Sequence, residues 1–115
     1  MKHLLFILIS PDGITWTERT SGTWEYLRRV TSGNGLFVTV GESGTILTSS
    51  DGTSWTQRTS GSQQFHLYGL TYGNGLFVTV GESGTILTSP DGNTWTERTS
   101  GTTKELSGSL VFNTT

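Results

Sequence analysis

The seventeen residues GNGLFVTVGESGTILTS at Gly33–Ser49 return unchanged at Gly73–Ser89. A near-verbatim repeat constrains a fold more than any single motif, because each copy must build the same unit and neighbouring units must bury one another's apolar faces. Trp16, Trp55 and Trp95 are spaced 39 and 40 residues apart, and Asp12, Asp51 and Asp91 keep that spacing. Leu27–Gly61 aligned on Leu67–Gly101 gives 27 identities in 35 positions. The one-residue difference in period falls after Ser21-Gly22 and Ser60-Gly61, where a loop absorbs it.

The repeat also governs the reading of the N-terminus. MKHLLFILIS has a basic start and an apolar run, the outline of a secretory leader. The run is short, however, and meets Pro11-Asp12 instead of a small-residue cleavage site. FILISPDGITWTERTSG at Phe6–Gly22 matches TILTSPDGNTWTERTSG at Thr85–Gly101 almost letter for letter, so the segment reads as part of the repeat.

Within one unit, four strand-like pieces follow each other. LYGLTYG (Leu67–Gly73) ends at Asn74-Gly75, a strong two-residue hairpin signal. LFVTVG (Leu76–Gly81) alternates and stops at ESG. TILTS (Thr85–Ser89) runs into Pro90-Asp91-Gly92, where proline presets φ, aspartate caps and glycine takes φ > 0. NTWTERT (Asn93–Thr99) closes the unit. Composition agrees: Gly, Ser, Thr and aromatic residues favour short strands and tight turns, and no stretch reads as an amphipathic helix. Four antiparallel strands, A to D with A innermost, in about forty residues is the size of one propeller blade.

SPDGITW, SSDGTSW and SPDGNTW resemble the Asp-box, the Ser-x-Asp-x-Gly-x-Thr-Trp hairpin of sialidase-like (BNR) β-propellers. The wider frame is similar to the propeller repeats of photosystem II assembly and stability factor-like proteins. Asp and Gly are adjacent here, so the turn is one residue shorter than the usual box. The box residues are Ser10, Asp12, Gly13 and Trp16; Ser49, Asp51, Gly52 and Trp55; and Ser89, Asp91, Gly92 and Trp95. The aspartates are expected to accept backbone N–H groups across the turn, and the tryptophans to fill the space between blades. Calcium or sugar binding by these aspartates is the competing reading.

The expected fold is an all-β propeller of four-stranded antiparallel blades closed by oligomerisation. Strands C and D of a composite blade occupy residues 6–20, full blades span 27–59 and 67–99, and 106–115 supplies strand A of the composite blade to a neighbouring chain. Leu110 and Phe112 match Leu70 and Tyr72 in that strand. No strand B is legible for this blade, and Met1–Leu5 does not resemble FVTVG. Propellers close with roughly four to eight blades, and an open end leaves an unpaired edge and an apolar face. Head-to-tail sharing of the composite blade gives six blades from a dimer, with nine from a trimer as the alternative.

Chemistry is less legible. A net charge of −2 with no block of like charges argues against nucleic acid or an anionic membrane surface as partner. The chain has no cysteine, and neither His3 nor His66 stands in a metal-ligand spacing, so neither metal nor cofactor is expected. The sialidase resemblance implies three arginines and a tyrosine nucleophile beside an acid. Arg19, Arg58 and Arg98 instead share one place on the outer strand D, and Glu25 and Glu105, the only acids outside repeated positions, read as solvated loop residues. The chain is therefore expected to be a non-enzymatic module that binds or scaffolds, with no catalytic residues; a glycan-binding, lectin-like propeller is the alternative, and a degenerate sialidase-like glycosidase or a piece of a longer propeller ranks below it.

The blades differ mainly in the D-to-A connection and strand A, TWEYLRR against SQQFHLYG. That region lines the mouth of a propeller's channel, which makes Trp24, Tyr26, Arg28, Arg29, Phe65, His66 and Tyr68 candidates for holding a glycan or a peptide. The alternative is that these positions merely drift, the aromatics packing between blades. Alternation sends Arg28 and Arg29 to opposite faces, and whichever points to the axis forms an anion-attracting ring in the oligomer.

Overall fold

The computed structural model describes residues 6–61 and 65–107. The described chain is all-β. Strands β1 (Phe6–Ile9) and β2 (Thr17–Thr20) form a hairpin. β3 (Leu27–Gly33), β4 (Leu36–Gly41), β5 (Ile46–Ser49) and β6 (Thr56–Arg58) follow one another across an antiparallel sheet, sheet I. β7 (Leu67–Gly73), β8 (Leu76–Gly81), β9 (Ile86–Ser89) and β10 (Thr96–Arg98) repeat that order in sheet II. The strand after each tryptophan is shorter than the sequence suggests. Asp91 Oδ1 accepts the N–H groups of Asn93 at 2.8 Å and Thr94 at 3.0 Å, which holds those residues in the turn and keeps them out of the ladder. The segment 106–115, read as an inner strand, is described only as far as Ser107, with no strand there; residues 108–115 and Met1–Leu5 lie outside the described residues.

Period-2 alternation sorts each strand's side chains onto two faces. In β4, Leu36, Val38 and Val40 face sheet II; in β8, Phe77 faces back. Val38, Val40, Ile46, Leu67, Phe77 and Leu87 form the buried core, with Leu36, Leu70, Tyr72 and Trp95 packed against it. Burying one such side chain contributes roughly 1.5–3 kcal/mol, so this seam between sheets is the main source of stability. Tyr72 and Trp95 flank Phe77 at ring-centroid distances of 4.5 and 6.4 Å, tilted by about 50°. β7 packs on β3 and β4 of the neighbouring sheet, so the first strands of the two sheets converge, as expected for strands on the inner side of a radial array.

The turns follow the chemistry of their residues. Asn34-Gly35 and Asn74-Gly75 take positive φ at both positions, 52° and 75° in one and 52° and 76° in the other, as a two-residue hairpin demands. In each Ser-x-Asp-Gly turn the serine hydroxyl accepts the glycine N–H at 2.7 Å and donates to the aspartate at 3.1 Å. The indole N–H of Trp16, Trp55 or Trp95 then donates to the carbonyl of the turn glycine. Backbone N–H donors hold all three aspartates below the usual carboxylate pKa; for Asp51 they come from Ser54 first and Thr53 second.

The hairpin stands beside sheet I as sheet I stands beside sheet II. A Cβ built on Gly52 would meet Ile9 Cγ2 at 3.6 Å, and one built on Gly92 would meet Thr48 Cγ2, the repeat equivalent, at 3.7 Å. Between hairpin and sheet I lies a cleft of about 950 Å³ bordered by Ile7, Ile9, Val30, Phe37 and Trp55. One repeat substitution leaves a mark here. Arg58 Nε and Arg98 Nε donate to the hydroxyls of Thr48 and Thr88, but Ile9 replaces that threonine in the hairpin, and Arg19 Nε is buried without a partner.

Candidate functional site at the inner rim

Strands β3 and β7 begin, and β4 and β8 end, at one end of the sheets. Each pair carries a bulge there: Leu27 opposes Gly41 and Arg29 opposes Val40, leaving Arg28 as the extra residue, and Tyr68 occupies the same place between Leu67 and Gly69. The bulge needs glycine opposite it. A Cβ on Gly41 would collide with the Tyr26 carbonyl oxygen, and one on Gly81 with that of His66. Arg28 and Arg29 both border the cleft, and Arg29 Nη1 donates to the Arg28 carbonyl at 2.9 Å.

Repeat-unequal side chains meet across the seam at this end. The Arg28 guanidinium pairs with Glu42 and stands 5.6 Å from the Tyr68 ring centroid. His66 and Tyr68 are 6.1 Å apart. The Ser43 N–H donates to His66 Nδ1 at 2.9 Å, which requires that nitrogen to be unprotonated, and Ser43 Oγ donates to Glu25 Oε1 at 3.3 Å. Glu82 Oε1 accepts the His66 N–H at 2.9 Å. Burial, reinforced by the Glu82 and Glu105 carboxylates and opposed by Arg28, pushes the Tyr68 phenol above its ordinary pKa. Trp24 and Tyr26 stand on the approach with 51% and 64% of their surfaces exposed. Phe65 is half-buried at the entry to β7.

The rim thus joins Arg28, His66 and Tyr68 directly, places Trp24 and Tyr26 as exposed neighbours, and turns Arg29 toward the cleft. Glu42 pairs with Arg28, and Glu25 and Glu82 make the neighbourhood acidic. Glu42, Ser43 and Glu82 do not stand out as site residues in the sequence because they repeat. The signal was available: ESG follows the second strand of each unit, and antiparallel pairing returns that point to the start of the first. Among the described residues no group of His, Asp and Glu is arranged to hold a metal ion, and no helix is long and apolar enough to cross a membrane.

The sequence matches the family model of the DUF6242 beta propeller domain over residues 8–107. No curated protein and no solved structure gives a significant match. The family match runs through the hairpin, both sheets and the rim between them: the chain belongs to the DUF6242 β-propeller family.

Proposed function

We propose that this chain is a non-enzymatic, oligomeric β-propeller that binds or scaffolds through its inner rim, and that its turns are shortened Asp-boxes of the sialidase-like kind acting as structural staples. The observation that carries the reading is the cluster of Arg28, His66 and Tyr68, where residues differing between repeats meet at the inner ends of two sheets. Its groups are engaged in holding one another: Glu42 with Arg28, Glu82 with the His66 N–H, Ser43 with His66 and Glu25. A phenol whose pKa is raised is the reverse of an activated tyrosine nucleophile. The box aspartates accept turn N–H groups, which suits a staple better than a ligand site.

A glycan-binding variant of this reading is favoured by Trp24 and Tyr26, exposed aromatic faces on which a sugar ring can stack. A glycan array and a peptide array probed with the assembled protein test both. Selective glycan signals lost in Trp24→Ala and Tyr26→Ala support the lectin, and selective peptide signals lost in Tyr68→Ala support a peptide-binding rim. Turnover of an aryl glycoside that Tyr68→Phe abolishes would contradict the non-enzymatic reading.

A further inference from the structure

The cleft between the β1–β2 hairpin and sheet I is a space that the repeat itself requires to be filled. Phe37 and Phe77 hold the same repeat position, yet Phe77 is wholly buried against sheet I while Phe37 is 41% exposed. Val30, the counterpart of the half-buried Leu70, is 63% exposed. The hairpin already sits at the spacing of a neighbouring sheet, as the Ile9–Gly52 and Thr48–Gly92 approaches show. What covers sheet II and not sheet I is the strand beyond that contact: β4 brings Leu36 and Val38 over Gly92, whereas among the described residues β1 pairs only with β2.

We propose that residues 108–115 of a second copy enter this cleft as a strand along the free edge of β1, in the place that β4 holds beside β5, one position outward from the innermost place that the repeat alignment gives the segment. The proposal rests on the oligomeric reading above and names its contact. The eight residues GSLVFNTT reach about 26 Å when extended, ample for a four-residue edge. Leu110 and Phe112 fall on one face of such a strand, where they cover Phe37 and Val30 while the backbone pairs with β1. The origin of the segment fits a neighbour. Leu106 N–H donates to the Gly81 carbonyl at 2.9 Å, and the Ser107 carbonyl lies against Gly69, on the side of sheet II away from sheet I and the hairpin. In a head-to-tail ring that side abuts the next chain's hairpin.

The chain has no cysteine, so disulfide trapping reads the contact cleanly. Val30→Cys and Leu110→Cys chains carrying different tags, mixed and mildly oxidised, are expected to give a cross-linked heterodimer that neither variant forms alone. Phe37→Asp is expected to weaken association about a hundredfold, because it places a carboxylate at the centre of the contact. A double variant that closes only on itself at high dilution would overturn the proposal in favour of the chain's own segment. Absence of a cross-link in a sample that still sediments as an oligomer, or undiminished association of Phe37→Asp, would overturn this contact and leave the oligomeric reading standing. A folded monomer would remove both.

Discussion

Phe37 and Phe77 are chemically identical and differ only in their neighbours, so they report directly on what lies beside each sheet. Phe77→Ala should cost about 3–5 kcal/mol in urea unfolding, the range for a large buried aromatic replaced by a methyl. If the ring closes, Phe37→Ala costs about as much; if the cleft stays open, it costs less than about 1 kcal/mol, as for a surface change. The arginines offer a second pair. Arg58→Met removes the donor to Thr48 and should destabilise by about 1–2 kcal/mol, whereas Arg19→Met removes a buried nitrogen that has no partner and should be neutral or stabilising by thermal melting. The box aspartates set the acid limb. Their pKa values are depressed in the folded state, so their contribution is complete above the unfolded value of about 4 and is lost as pH falls through the lower folded values. Asp51→Asn keeps an oxygen acceptor without a titrating proton and should flatten the melting temperature against pH below about 4, while Asp51→Ala should lower it at every pH.

Strand order and turn type were legible in the sequence because local chemistry alone decides them. Asn-Gly selects the two-residue hairpin, Asp with Gly selects the next turn, and the 2.0 period selects the faces. Gly75→Ala tests this at the element it controls: with φ at 76°, alanine should cost about 1–2 kcal/mol by chemical denaturation. What escaped the sequence reading depended on contacts between units. The bulge at Arg28 and Tyr68 is a product of how β3 meets β4 and β7 meets β8, which the residues of either strand alone do not contain. The same holds for Glu42 and Glu82, one residue type in one repeat position that takes a guanidinium in the first unit and a backbone N–H in the second. The shortening of β6 and β10 had the opposite origin: the carboxylate of the turn reaches two residues further than propensity alone suggests.

At the scale of the molecule, the described residues hold two four-stranded sheets and one hairpin, and their repeat leaves apolar surface at the hairpin end. Leu8 is 53% exposed, whereas its counterparts Leu47 and Leu87 are 1% and 0% exposed; Trp16 is 56% exposed, whereas Trp95 packs on Phe77. Such a face either finds a partner or drives aggregation. Removing residues 108–115 should therefore convert a discrete species into aggregate or partly unfolded chain, visible as light scattering and loss of the cooperative transition. The account as a whole is tested most directly by sedimentation equilibrium of the intact chain. It predicts a concentration-independent mass of twice the 12.5 kDa chain, or three times if nine blades close, with no folded species of smaller mass on dilution. A single, cooperatively folding species at the mass of one chain would contradict it.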